Sequence, residues 1–417
     1  MRWITLLLAL APVLAAGQTS VPIHVTIVMH SEQSARYDLN PVLFESNRTN
    51  LYRFASMLSG HGVMFNFQSD WTFLTAVTNY DRLGHPETGG TNIVAWMKHT
   101  LGFEIDPHNH VAESIYNYAD VAALITACGV TPSGVAGGYI AMPVEDNEWP
   151  LFQQPFTGAV YNTSVWTPKV LWGGGSGLHI NETNLWFSGV YCPRDATNYW
   201  THHTGNLPLV GGYGGKSILW TNLDELIALR DAGLLCTGRI YTCNLMAGLN
   251  NITPAYTADF SNRLQAYTNK ANLRWVGIAE VTNIWAAEYA TQASYLPYVV
   301  TNDLDEDGLI DGWEVTNFCG IVESDGTGDH DSDHQTDASE YIAGTSPTHN
   351  TDVFAIVTLR DTIIEWTAVP GRTYRLEAGD GTTWTHLLTR PATTTLESWT
   401  NTTPATSQWY RVLVSGP

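Results

Sequence analysis

Apolar positions recur with two different periods along this chain, and the change of period divides it. From Pro22 to Ile278, apolar runs alternate with stretches in which apolar residues return every three or four positions. The runs predict strands at PIHVTIVM (Pro22 to Met29), VMFNFQ (Val63 to Gln68), GFEIDP (Gly102 to Pro107), Gly134 to Ile140, Arg239 to Leu245 and Leu273 to Ile278. The longer period predicts helices over Asn47 to Leu58, Asn92 to Leu101, Tyr118 to Cys128, Leu223 to Asp231 and Ala255 to Asn269, with another running from a Ser69-Asp70 start through Val77. Strands alternating with helices over this length predict an α/β domain with parallel strands, either a barrel or a doubly wound sheet. Between Ile140 and Gly215 the pattern is irregular and rich in Gly, Trp and Tyr. From Val353 to Val414 it shortens to period two, in FAIVTL, TIIEW, RTYRLEA, TWTHLL and QWYRVLV, with turns at Pro370-Gly371 and Asp380-Gly381. That is the pattern of a small all-β sandwich.

Composition adds direction. The 417 residues suit two to four domains, and 44% hydrophobic residues supply real cores. The net charge of -21, from 19 basic and 40 acidic residues, argues against nucleic acid and against an anionic membrane surface. Met1 to Gly17 has the layout of a secretory signal: Arg2, a short apolar core, and a small-residue cleavage site at Ala15-Ala16-Gly17. The expected location is therefore secreted, extracellular or periplasmic, with no membrane span. The five cysteines lack zinc-ligand spacing, and a Cys236–Cys243 disulfide is conceivable in an oxidising compartment.

Thirteen acidic residues fall between Asp303 and Glu340 with no Lys or Arg among them. Asp303, Asp305, Asp307, Asp311 and Glu314 stand at positions 1, 3, 5, 9 and 12 of a twelve-residue calcium loop, with Gly308 at the sharp turn and the Leu309 carbonyl at position 7. Asp329, Asp331, Asp333, Asp337 and Glu340 repeat the spacing, with Gln335 at the carbonyl position. His334 replaces the turn glycine there and predicts a strained positive φ. Glu340 to Pro347 resembles the ends of thrombospondin type 3-like and dockerin-like calcium repeats, which act as structural spacers in exported proteins.

In the first domain, His108 and His110 follow a predicted strand end two residues apart, a spacing that turns both imidazoles to one side in extended chain. His30-Ser31-Glu32 ends the first strand. With these motifs, Pro22 to Glu288 resembles the polysaccharide deacetylase (NodB-like) superfamily, a distorted (β/α)7-type barrel of metal-dependent carbohydrate esterases. The resemblance implies a zinc site, or one for another divalent transition metal, on Glu32, His108 and His110, with His30 as a further ligand. FEIDPH matches the family's histidine motif at Glu104, Ile105 and His108; Ala112 stands where the family has its second histidine, so His110 takes that place. The family's arginine motif is replaced by Ala136-Gly137-Gly138-Tyr139, and its late histidine has no counterpart on Arg239 to Leu245, where Asn244 sits.

Asp70 and Glu32 are the candidate catalytic carboxylates, and Asp70 reads equally as a helix N-cap. Tyr139, Trp172 and Arg194 are the candidate substrate-binding residues. Glu145, Asp146 and Glu148 read as a solvated loop, and His202 and His203 either line the cleft or, the preferred reading, are exposed loop histidines. The predicted organisation is a signal peptide over 1–17, a NodB-like α/β barrel over 18–296, a calcium-loop linker over 297–352 and a sandwich over 353–417. The leading reading is an exported polysaccharide N- or O-deacetylase that uses zinc or another divalent transition metal, with a calcium-binding spacer. Its rivals are a non-catalytic carbohydrate-binding or cell-surface protein, and a glycoside hydrolase using Glu32 with Asp70.

Overall fold

A computed structural model describes residues 21–31, 35–83, 85–110, 114–140, 147–175, 187–213, 220–297, 303–321, 323–360, 362–402 and 409–415. The signal segment, Glu32, Glu145 and Asp146 lie outside the described residues. The chain divides into two compact units, residues 1–299 and 300–417.

In the first unit, β1 (Ile23–His30), α1 (Pro41–Gly60), β2 (Asn66–Ser69), α2 (Trp71–Tyr80), α3 (Ile93–His99), β3 (Glu104–Pro107), α4 (Tyr118–Ala127) and β4 (Val135–Ile140) follow in order. The Gly-rich stretch contributes β5 (Val170–Gly175), β6 (Phe187–Ser188), β7 (Val190–Tyr191) and β8 (Leu209–Val210). Alternation resumes with α5 (Trp220–Asp231), β9 (Tyr241–Gly248), α6 (Pro254–Gln265), β10 (Leu273–Trp275) and α7 (Ile278–Glu288). A parallel sheet runs β9-β1-β2-β3, with β10 beside the start of β1. β1 is buried along its length up to its last residue, as a strand covered on both faces must be.

β4, β5, β8 and β7 form a second sheet, tied to the first by a single bridge between His108 and Gly137. Among the described residues these two sheets are separate and do not join into one closed barrel. The expected (β/α)7-type closure is thus not seen among the described residues; within the second sheet the pairing of β4 with β5 shifts register at Gly137 to Ile140. An apolar cluster including Val28, Val135, Trp172, Val210, Ile278 and Trp285 joins the two sheets to α7.

α1 begins at Pro41, ahead of the expected Asn47. Asn40 caps it by accepting from the Leu43 N–H at 3.0 Å, and Pro41 sits where no amide donor is needed. α7 was not visible as a helix because its cap is remote. Gly277 offers no side chain, and the Glu104 carboxylate, from β3, accepts from the N–H groups of Ala279 and Glu280 at 3.1 and 3.2 Å. Cys243 is a free, buried thiol on β9, so the conceivable Cys236–Cys243 disulfide does not form.

The second unit contains α8 (Asp311–Phe318), α9 (Asp337–Ala343) and the strands β11 (Ile356–Arg360), β12 (Ile363–Thr367), β13 (Thr373–Gly379), β14 (Trp384–Pro391), β15 (Leu396–Thr400) and β16 (Trp409–Ser415). Antiparallel sheets β11-β12-β15 and β14-β13-β16 pack around Ile364, Trp366, Tyr374 and Leu376. β15 escaped the period-two reading because its polarity is inverted. Leu396 is exposed, while Glu397 is buried and paired with Arg390 at 2.6 Å. The acidic segment is fastened to the sandwich and does not stand off from it. Gln335 Oε1 accepts from the Phe354 N–H at 3.3 Å, and Arg372 donates to the Tyr341 carbonyl at 3.1 Å.

Replacing Glu104 by Ala removes the α7 cap, and we expect urea unfolding of the first unit to show a loss of about 1–2 kcal/mol. Glu104→Gln, which keeps one acceptor oxygen, should lose less; equal stability of all three proteins would show that the contact carries no weight.

Candidate functional site

The parallel register sets the strand ends side by side. His30, the last residue of β1, pairs with Gln68, and Gln68 pairs with Asp106 on β3. Pro107 ends β3, and the chain is held as it leaves the sheet. The His108 N–H donates to the Ser69 carbonyl at 2.9 Å, and the Asn109 N–H donates to the Gly137 carbonyl at 3.2 Å. The buried Tyr118 hydroxyl reaches the carbonyls of both Asn109 and Gly137, at 2.7 and 2.8 Å.

This arrangement brings three of the predicted metal-binding residues together. The His30 and His108 rings stack at 4.2 Å, and His110 meets His108 edge-on at 4.9 Å. Trp172, from β5, stands edge-on to His30 at 5.2 Å. His108 is the shared member, and the three imidazoles do not all bring nitrogens within 4.8 Å of one another; among the described residues only the two acidic loops offer such a set of three. Gly137 and Gly138 make the approach possible. A Cβ on Gly137 would lie 2.1 Å from Gln68 Oε1, and one on Gly138, at φ +82°, would lie 2.6 Å from the Asn109 carbonyl oxygen and 3.0 Å from the His108 ring. Gly137 and Gly138, the two middle positions of the stretch that replaces the arginine motif, are therefore a packing requirement here.

Sequence reading missed Gln68. Its side chain is fully buried, and neither its amide nitrogen nor its oxygen has a hydrogen-bond partner among the described residues. Buried polar atoms are nearly always partnered. The available signal was a glutamine closing the strand run VMFNFQ. Below it, the Asn66 amide donates to Glu104 at 3.1 Å and to Asp106 at 2.8 Å. Burial raises the pKa of both acids, Asp106 the more strongly because Glu104 is close.

Other candidates lie elsewhere in function. Asp70 is 3% exposed and caps α2. Its oxygens accept from the Ser31 hydroxyl and the Thr72 hydroxyl, both at 2.7 Å, and from the Phe73 and Thr72 N–H groups at 3.2 and 3.3 Å. Of its two sequence readings, geometry gives the N-cap. Tyr139 is buried with its ring against Phe152, so it packs in the core and offers no face to a ligand. Trp172, also buried, walls the histidines without presenting a stacking surface. Arg194 is exposed on a loop, where its carbonyl accepts from the Asn206 amide at 2.9 Å. His202 Nδ1 accepts from the Cys192 N–H at 3.1 Å and its ring meets Trp285, while Asn244 accepts from the buried Thr26 hydroxyl.

In the second unit, the two acidic loops repeat one fold. Asp303 accepts from the N–H groups of Asp307 and Gly308, and Asp329 accepts from those of Asp333 and His334. Asp311 and Asp337 accept from Leu304 and His330. Gly308 has φ +93° and His334 φ +79°, so the predicted positive φ at His334 is present. Glu314 is fully buried with neither carboxylate oxygen hydrogen-bonded, and Glu340 is fully buried opposite Asp331 and Asp333. Burial, then repulsion among the carboxylates, pushes Asp305 up to about 7, Asp311 to about 6, Glu314 to about 10 and Glu340 to about 8.

No protein-family model matches this sequence, and no curated protein matches it. Among solved structures, the chain is similar to "Puue Allantoinase" with a TM-score of 0.41 at 8% identity, over 65% of this chain and 95% of that one. A structure described as "probable Polysaccharide deacetylase from Pseudomonas aeruginosa PAO1" scores 0.41 at 9% identity, over 65% and 93%. The 4-alpha-glucanotransferase from Thermococcus litoralis scores 0.38 at 9% identity, over 63% of this chain and 40% of that one. All three scores lie below 0.5.

Proposed function

We propose that the protein is exported, directed by its N-terminal segment, and that its first unit is a metal-dependent hydrolase that removes N- or O-acetyl groups from a polysaccharide. The observation that supports this is the gathering of His30, His108 and His110 at the carboxyl ends of β1 and β3, beside the buried and unbonded Gln68 carboxamide. In parallel α/β sheets this end of the strands is where ligands bind. Imidazoles suit zinc or a similar divalent transition metal. His108 with one neighbouring histidine would hold it, and Glu32, placed by sequence just past Ser31, would supply the carboxylate. Such a metal, when bound, polarises a carbonyl and lowers the pKa of a coordinated water.

The chain's own residues prepare the site. The Ser69 carbonyl and the Tyr118 hydroxyl fix the backbone of His108 and Asn109, and Trp172 stands edge-on against one side of His30. Asp70 acts at one remove, holding the Ser31 hydroxyl that adjoins His30. A non-catalytic carbohydrate-binding reading is favoured by two observations: Asp70 is bonded to the start of α2, and Asn244 occupies β9 where a histidine acid is wanted. The same burial of Asp70 weighs against a Glu32–Asp70 glycosidase pair.

For the second unit we propose two structural calcium sites, on the carboxylates of Asp303 to Glu314 and Asp329 to Glu340 with the carbonyls of Leu309 and Gln335. The buried, unbonded Glu314 supports the first site.

Purified full-length protein should hold about one zinc that His108→Ala loses, and wild type alone should release acetate from acetylated glycans. Zinc content unchanged by His108→Ala would remove the histidine site, while zinc binding without acetate release would select the non-catalytic reading. The raised carboxylates give a second expectation. A carboxylate whose folded pKa exceeds its unfolded value of about 4 stabilises the fold below that value and loses the contribution as pH rises through the folded one. In chelator, the melting temperature of the second unit should fall between pH 5 and pH 9, and the increase produced by calcium should grow over the same window. A melt indifferent to calcium at every pH would contradict the calcium sites.

A further inference from the structure

The outer face of the β14-β13-β16 sheet has an unusual surface. Tyr374, Leu376 and Ala378 of β13 point into the sandwich, so residues 375, 377 and 379 point out. Pairing places Trp384 and Trp409 on either side of Gly379, which carries no side chain, and His386 and Arg411 on either side of Glu377. Directly opposed residues of an antiparallel pair share a face. Two tryptophans therefore stand on one outer row, roughly 10 Å apart at two strand spacings. Trp409 is 67% exposed on a regular strand. The Arg411 guanidinium reaches the Trp384 ring at 4.2 Å.

The charge is arranged as well. Arg375 and Arg411 both pair with the one carboxylate of Glu377, at 2.5 and 2.6 Å, and their side chains remain 52% and 41% exposed. Two guanidiniums against one carboxylate leave this row one positive charge in a protein of net charge -21. Each guanidinium has five N–H donors, more than Glu377 can accept. The exposed donors match carboxylate or sulfate groups, which guanidinium binds through paired hydrogen bonds. Exposed indole offers an apolar face to the C–H side of a pyranose ring.

We propose that this face binds an acidic polysaccharide, with sugar rings on Trp409 and anionic groups at Arg375 and Arg411. A second copy of the chain fits poorly. A two-fold contact through this face would bring two strongly acidic molecules together. In a chain with 40 acidic and 19 basic residues, the uncompensated positive charge of this face is a local feature that favours a polyanion here. The inference concerns a site in the second unit and does not rest on the hydrolase reading of the first.

Binding of the full-length protein, in calcium, to polygalacturonate is measured by affinity electrophoresis and calorimetry, with dextran as the neutral comparison. Wild type should bind polygalacturonate and not dextran. Trp409→Ala, which removes an exposed ring and leaves the core intact, should weaken binding about tenfold or more, and Arg375→Gln should do likewise. Binding should also fade toward about 1 M salt, where the Debye length is about 3 Å. Thermal melts of both variants report on folding. No binding by wild type, equal binding of dextran, or variants that bind like wild type would each overturn the proposal. So would a wild-type dimer that Trp409→Ala converts to monomer in sedimentation.

Discussion

Close approach of β4 to the end of β3 is the constraint on which the first unit's strand ends turn. His108 can lie beneath β4 only because Gly137 and Gly138 present no Cβ there, and the same gap receives the Gln68 carboxamide. The parallel pairing of β1, β2 and β3 then fixes His30 alongside. Beneath these residues, Asn66 and the buried acids Glu104 and Asp106 tie β2 and β3 to the start of α7 and to the Gly134–Val135 turn. The histidines thus stand on a polar floor that is bonded in several directions, a stiff support for side chains whose geometry matters.

The second unit is governed by repulsion. Each acidic loop aligns backbone N–H groups on its first aspartate and turns the remaining carboxylates toward one another, with Glu314 and Glu340 fully buried. Without a cation that arrangement opposes folding, and with one it favours it. Gln335 links the two halves of the unit: it stands in the second loop while its side chain accepts from Phe354 at the entry to the sandwich. A change in that loop therefore reaches the first strand through one hydrogen bond.

Much of this was legible in the sequence. β1 is readable because a parallel strand covered on both faces is apolar throughout, and the two acidic loops because their carboxylates recur at a fixed spacing. The H-x-H pair and His30 were singled out, and the structure brings them together. What could not be read depends on partners distant in the chain. α7 is capped by Glu104, 175 positions away, and so shows no local start signal. β15 hides because its inward Glu397 is neutralised by Arg390 from a neighbouring strand. Asp70 could be a base or a cap on spacing alone; four hydrogen-bond donors around it make it a cap. Tyr139 and Trp172 were chosen for their aromatic faces, and burial removes both faces from a ligand's reach.

X-ray absorption at the zinc edge, on full-length protein loaded with one equivalent of zinc after its acidic loops are filled with calcium, would test the histidine centre by the ligands themselves. We expect the outer-shell scattering of at least two imidazoles, diminished by one in His110→Ala or His30→Ala. A spectrum of oxygen ligands alone would show that the metal sits elsewhere and that the cluster of His30, His108 and His110 is a packing arrangement.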